Sequence, residues 1–238
     1  MLSFLFDVLF PPICLNCRQS VKHGETVCDS CFSGIKISKT FFCGKCYARL
    51  PAEVSTKAGL ATVKKICHQD FPYLLGAAAD YQDTTVKHLV RNLKFGFIRS
   101  AARPLAFLLV HYAGNTNYPT TGFAVVPIPL SRARERQRGF NQSFLIAEIF
   151  ANHFGLELNP DILIRNKNTK AQSEINNFAE KRGNVKNCFS VKRPDSVQGK
   201  NFILIDDVVT SGATFFEAAG ALKRAGAKKI VALAAAKS

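Results

Sequence analysis

Phe202-Ile-Leu-Ile-Asp-Asp-Val-Val-Thr-Ser-Gly-Ala-Thr214 is the stretch that decides what kind of fold this chain adopts. Phe202 to Ile205 read as a buried strand, with Asp206 and Asp207 following at its carboxyl end. Val208 and Val209 lead into Thr210-Ser-Gly-Ala-Thr214, and a helical pattern then runs from Phe215 to Ala225 and closes on Gly226. Strand, polar loop and helix start bring backbone N–H groups and the positive end of a helix dipole to one point, which is a site for an anion. Gly212 lets the backbone approach a ligand closely, while Thr210, Ser211 and Thr214 add hydroxyl donors. Adjacent carboxylates are unfavourable unless they accept hydrogen bonds, as from a ribose diol or metal-bound water. Ligands of open α/β sheets bind outside the carboxyl ends of strands, where this loop lies.

The same texture extends to both sides. Strand-like runs at Leu74–Ala79, Gly122–Pro127, Phe202–Ile205 and Lys229–Leu233 alternate with helix-period segments around 86–94, 102–112, 141–154 and 214–225. That alternation predicts an α/β fold over residues 75–238, a mostly parallel sheet flanked by helices. Residues 1–74 read differently, with few periodic apolar runs, Gly and Pro punctuation, and seven of the eight cysteines. They are expected to form a small N-terminal cysteine-rich module.

Three CxxC pairs stand in series, Cys14/Cys17, Cys28/Cys31 and Cys43/Cys46, followed by a single Cys67. A CxxC turn offers two sulfurs to one ion, and two such turns complete a tetrahedral Zn²⁺ site. Cys14, Cys17, Cys28 and Cys31 would close a compact site. Cys43, Cys46 and Cys67 would make a second set needing a fourth ligand, with His68 or His23 available. A crossed set joining Cys14/Cys17 to Cys43/Cys46 stays open at this level. No residues resemble an activated-water site with a general base, so the zinc reads as structural.

With 32 Lys+Arg against 17 Asp+Glu, the chain carries a formal +15, which points to a polyanionic partner. No acid occurs between Asp83 and Glu135. Within that stretch Val86, Leu89, Val90 and Leu93 form the buried stripe of a helix, leaving Lys87, Arg91 and Lys94 on the other side. Arg132, Arg134, Arg136 and Arg138 follow within seven positions, and arginine suits forked contacts to phosphate. Phe95, Phe97 and Phe140 are candidate stacking surfaces among them. No run approaches the ~20 apolar residues of a membrane span. The opening decapeptide reads as a short amphipathic helix with Phe4, Leu5, Val8 and Leu9 on one side, not as a signal peptide. Many cysteines without an export signal suit a cytoplasmic protein.

Residues 202–214 resemble the phosphoribosyl-diphosphate (PRPP) binding motif of type I phosphoribosyltransferases: four apolar residues, two acids, two apolar residues, then Thr-x-Gly-x-Thr. More narrowly, the whole chain is similar to the ComF/GntX-type competence and DNA-utilisation proteins. The resemblance rests on the CxxC series, Leu93-Lys94-Phe95, Val126-Pro-Ile-Pro-Leu130, Arg138-Gly-Phe-Asn-Gln142, Thr169-x-x-Gln172, Arg182-x-Asn184-Val185 and the 202–214 run. It implies a zinc module joined to a phosphoribosyltransferase-like domain. Asp206 and Asp207 would hold the ribose hydroxyls, and Thr210, Ser211, Gly212, Ala213 and Thr214 the 5′-phosphate. The segment after Val126-Pro-Ile-Pro would lie at pyrophosphate, with Thr169–Arg182 as a lid. The family commonly has a fourth CxxC near position 67, where this chain has Lys64 in place of the first cysteine.

Two functions follow from the resemblance. One is uptake or processing of single-stranded DNA with PRPP as a bound ligand. Its partners would be competence or DNA-translocation proteins at the inner membrane. The other is a working phosphoribosyltransferase on an unidentified acceptor, with Mg²⁺ assisting departure of pyrophosphate and Asp206 or Asp207 as the catalytic carboxylate. Lys94, Arg91, Arg132, Arg134, Arg136 and Arg138 would bind the pyrophosphate in one case and the DNA backbone in the other.

Overall fold

A computed structural model describes residues 11–50, 53–55, 60–62, 68, 73–166 and 187–238. The expected helix around Phe4 to Leu9, Cys67 and the segments Thr169–Arg182 and Arg182–Val185 lie outside the described residues.

The cysteine-rich part supplies helix α1 (Asp29–Ser33) and strands β1 (Phe41–Cys43), β2 (Arg49–Leu50), β3 (Glu53–Ser55) and β4 (Leu60–Thr62). Then come β5 (Leu74–Asp80), α2 (Thr84–Lys94), α3 (Ala102–Thr116), β6 (Phe123–Pro127), α4 (Arg132–Arg138) and α5 (Gln142–Phe154). The chain finishes with β7 (Glu157–Leu158), β8 (Leu163–Arg165), β9 (Phe189–Val191), β10 (Asn201–Val209), α6 (Ala213–Arg224) and β11 (Lys229–Lys237). Seven strands form one sheet in the order β2-β1-β5-β11-β10-β6-β7. Neighbours from β5 through β7 run parallel, whereas β1 and β2 join antiparallel. Phe41 pairs with Gly76 and Cys43 with Leu74, so the sheet runs unbroken across the composition change near residue 74. The chain is therefore α/β with a mostly parallel sheet.

The local chemistry sets these elements. The Asp83 carboxylate caps α2 by accepting from the Val86 N–H at 3.1 Å, and the predicted stripe of Val86, Leu89, Val90 and Leu93 is buried. Asn141 caps α5 in the same way, and Gly155 ends it in the left-handed conformation. Along β10 the side chains alternate between two cores. Ile203 and Ile205 pack with α2, α3 and α5, while Phe202 and Leu204 pack with α6. Gly76 shows why β5 tolerates a glycine in its middle: a Cβ there would lie 2.6 Å from Leu233 and 2.8 Å from the Tyr112 ring.

One sequence expectation changes. The strand was expected to end at Ile205, but β10 continues to Val209, with Asp206 opposite Ala234 and Val209 opposite Lys237 on β11. Backbone pairing does not depend on side-chain polarity, so the acids can sit inside the strand as long as their carboxylates find hydrogen-bond or ion-pair partners, which Ser143 and Lys94 supply. No helix among the described residues is long and apolar enough to cross a membrane.

Candidate functional site

The two neighbours of β10 stop at different heights. Pairing with β6 ends at Ile205 opposite Pro127, while pairing with β11 persists to Val209. Asp206 and Asp207 lie on this overhang, at the carboxyl end of the sheet where open α/β folds place their ligand crevice. Asp206 Oδ1 accepts the Ser143 hydroxyl at 2.7 Å and the Asp207 N–H at 2.9 Å. Asp207 is almost fully buried; its Oδ1 accepts the Val208 N–H at 2.8 Å and its Oδ2 meets Lys94 Nζ at 2.7 Å. Burial and the Asp207 charge push the Asp206 carboxyl up to about 7, against the opposing pull of Lys94 and Ser143. Burial also lowers the proton affinity of Arg138, which both carboxylates partly restore. Its Nη1 donates to Gln142 Oε1 at 2.9 Å. Two acids and two bases thus form one half-buried cluster, with a carboxyl poised to change charge near neutrality.

Beyond β10 the chain turns through Thr210 and Ser211 to Gly212, whose φ of +62° a bulkier residue adopts only at a cost. Gly212 occupies the N-cap of α6 and has no side chain with which to cap it, so the positive end of that helix begins without a cap from its own N-cap residue. Ser211 Oγ is buried and has no hydrogen-bond partner. Two tyrosines press on the turn. The Tyr73 hydroxyl donates to Gly212 O at 3.3 Å, and the Tyr47 hydroxyl fills the position a Gly212 Cβ would take. Tyr47 directly follows Cys46, so the cysteine-rich segment reaches the loop. Sequence reasoning missed Tyr47, Tyr73 and Ser143, although Ser143 is the next residue after the Arg138-Gly-Phe-Asn-Gln run.

The cysteines sort into two sets. Cys14, Cys17, Cys28 and Cys31 bring their sulfurs within 4.8 Å of one another, and Cys17 and Cys28 lie 3.6 Å apart. Sulfurs ~2.3 Å from one Zn²⁺ stand about 3.8 Å apart, so the set fits a tetrahedral ion. Burial would raise the Cys14 thiol, but the amides of Cys17, Cys28 and Asn16 outweigh it and draw it down, while the neighbouring sulfurs push Cys17 up, as expected of thiols crowded together. Asn16 Nδ2 donates to Cys31 Sγ at 3.3 Å, and its Oδ1 meets His88 Nδ1 at 3.1 Å, tying this cluster to α2. The second set is Cys43, Cys46 and His68, with Cys43 Sγ and His68 Nδ1 3.4 Å apart. His23 is in neither set, and the crossed pairing does not occur among the described residues.

The basic residues divide as well. Lys94 and Arg138 turn toward the acids. The four arginines of α4 alternate because they are spaced two apart on a 3.6-residue period. Arg134 and Arg138 are half-buried, while Arg132, Arg136 and, on α2, Arg91 are exposed. A cleft of about 790 Å³ lies between the Pro127–Leu130 loop, Arg132 and β8, with Arg99, Asn141, Arg165 and Asn166 on its walls. Arg165 and Asn166 carry no sequence signal. Phe140 is core at 7% exposure, with Arg99 over its ring at 5.3 Å, whereas Phe95 and Phe97 are 65% and 50% exposed.

Comparison with known proteins identifies both parts of this picture by family. Residues 5–69 match the model of the double zinc ribbon domain, and residues 141–238 that of the phosphoribosyl transferase domain. The zinc ribbon match and the clustered cysteines together support a structural zinc. The chain is similar to DNA utilization protein YhgH of Escherichia coli strain K12, 32% identical over 226 residues, covering 92% of this chain and 94% of that protein. Competence protein F of Haemophilus influenzae is 25% identical over 91% of this chain and 93% of its own length. Competence protein ComFC of Bacillus subtilis is 37% identical over 112 residues, 46% of this chain and 42% of its own.

Proposed function

From the chain's membership of the ComF/GntX-type family of competence and DNA-utilisation proteins, we propose that it handles single-stranded DNA in uptake or utilisation and binds PRPP beside Asp206. The observation that carries the ligand reading is the meeting of the acid pair with the uncapped start of α6 and the unpartnered Ser211 hydroxyl. In this reading Thr210, Ser211, Gly212, Ala213 and Thr214 hold the 5′-phosphate. Asp206 and Asp207 accept from the ribose diol, and Lys94 gives up part of its hold on Asp207 as the ligand enters. Arg138 faces the same point and balances negative charge. The oxygens of the acids and of the pyrophosphate suit Mg²⁺, which would neutralise the leaving group when bound. The cysteine module over 1–74 holds structural zinc and braces the domain over 75–238. The exposed Arg91, Arg132 and Arg136 follow the DNA backbone. The protein works in the cytoplasm with competence or DNA-translocation proteins at the inner membrane.

Thermal unfolding with PRPP and Mg²⁺ tests the ligand. A ligand at 100 times its Kd adds ~2.7 kcal/mol, worth roughly 5–10 °C in a chain of this size. The wild type is expected to gain this, and the Asp206→Asn/Asp207→Asn variant to gain nothing. No gain in the wild type at millimolar ligand would refute the proposal.

The raised proton affinity of Asp206 favours a second reading, transfer of the ribosyl phosphate to an unidentified acceptor. There Asp206, its proton affinity suiting a base near neutrality, would take the acceptor's proton, Asp207 would stabilise positive charge at the anomeric carbon, and Arg138 and Mg²⁺ would stabilise the departing pyrophosphate. Pyrophosphate release in the presence of nucleobases or DNA, lost in the double variant, would support it; silence across a broad acceptor panel counts against it.

A further inference from the structure

Phe95 and Phe97 leave α2 on a short loop and turn their rings outward. Among the described residues the large apolar side chains that stand open are Ile13, Phe95, Phe97 and Ile164, and Phe95 is the most exposed of the four at 65%. Keeping two phenyl rings in water forgoes a substantial burial gain for each, and a polar loop would avoid that loss. Phe97 also holds a left-handed backbone with φ of +56°, which is rare for a bulky residue and marks sites under a local constraint. An exposed, constrained aromatic pair calls for a partner.

The charge around the pair says which. The Arg138 guanidinium lies 5.8 Å from the centre of the Phe95 ring. Arg91 is exposed on the same helix end, Arg99 is exposed two residues beyond Phe97, and no acid occurs from residue 84 to 134. Aromatic faces set among phosphate-binding cations are what an unpaired strand needs, since its bases stack while its backbone is neutralised. Lys94, next to Phe95, reaches into the crevice to Asp207, and Arg138 faces both the ring and the acids.

The geometry points to Phe95 and Phe97 as a stacking platform for the bases of a single-stranded nucleic acid, at the rim of the crevice that holds Asp206 and Asp207. This rests on the DNA-handling reading above and adds the surface on which the strand lies.

The chain contains no tryptophan, so Phe95→Trp introduces a single indole reporter. Oligothymidylate added to that variant is expected to quench its emission, and oligothymidylate binding should weaken at least about 30-fold in Phe95→Ala/Phe97→Ala, corresponding to ~1–3 kcal/mol for each of two stacked bases. An abasic strand of equal length should bind the wild type and the alanine variant alike. Both positions are exposed, and a melting curve matching the wild type shows that the fold is kept. Unchanged oligothymidylate affinity in the alanine variant overturns the platform and leaves DNA handling standing. A wild type that binds no single strand at low salt overturns both. Quenching absent with oligothymidylate, but an emission shift on vesicles of anionic phospholipid, overturns the platform in favour of a membrane contact.

Discussion

Replacing Asp206 by asparagine removes a carboxyl that the folded chain holds at unusual cost. In the unfolded chain this group ionises near its ordinary value of 3.8, whereas in the crevice burial and Asp207 push it up to about 7. Between those values the folded protein keeps a proton that the unfolded chain releases. Stability from this residue is therefore greatest below pH ~4 and falls as pH rises, by at most ~1.4 kcal/mol per pH unit, until it levels off above about 7. The whole interval bounds the loss at ~4 kcal/mol, and coupling to Asp207 makes the realised value smaller. Asparagine keeps an oxygen to accept from Ser143 and from the Asp207 N–H but carries no charge. Asp206→Asn is expected to remove most of this pH slope and to melt a few degrees above the wild type at pH 8, with the difference shrinking to less than half at pH 5 and vanishing only below pH ~4. Thermal unfolding by circular dichroism at pH 5, 6, 7 and 8, with zinc present throughout, measures it. Parallel pH curves for the two proteins, or a variant less stable at pH 8, would refute the reasoning.

Lys94→Met leaves the Asp207 carboxylate buried without its cation and is expected to cost about 3–5 kcal/mol, read as a lowered urea midpoint. Gly212→Ala forces alanine into a left-handed turn and against Tyr47; it should lose ~1–2 kcal/mol from the backbone alone and abolish PRPP binding. Adding Tyr47→Ala to it should recover part of the stability, and no recovery would show that the contact is not limiting. Cys28→Ser should cut the zinc content measured by atomic emission and lower the melting temperature, whereas Cys188→Ser, outside both thiol sets, should leave zinc unchanged.

Much of the site was legible because its parts are contiguous. Asp206, Asp207 and the Gly212 turn lie within nine residues, and strand, loop and helix each announce themselves by pattern. The α2 stripe was legible for the same reason, as were the cysteine pairs, whose chemistry is carried by spacing. What stayed hidden depends on distant packing. Ser143, Tyr47 and Tyr73 reach the crevice only once β5, β10 and α5 are assembled, and nothing local marks them. The arginines of α4 looked like one basic face because they crowd together, yet helical geometry sends Arg138 inward and Arg132 and Arg136 outward. Phe140 and Phe95 look alike in sequence; one is core and the other open to solvent. The pairing of β1 with β5 was invisible because three residues are too few to show alternation.

Calorimetric titration of PRPP with Mg²⁺ into the zinc-loaded protein measures the central claim directly. One site per chain is expected, lost in Asp206→Asn/Asp207→Asn and kept when Arg132 and Arg136 are changed to glutamine. Heat that is absent from the wild type, or that survives in the double aspartate variant and vanishes with the arginines, would contradict it.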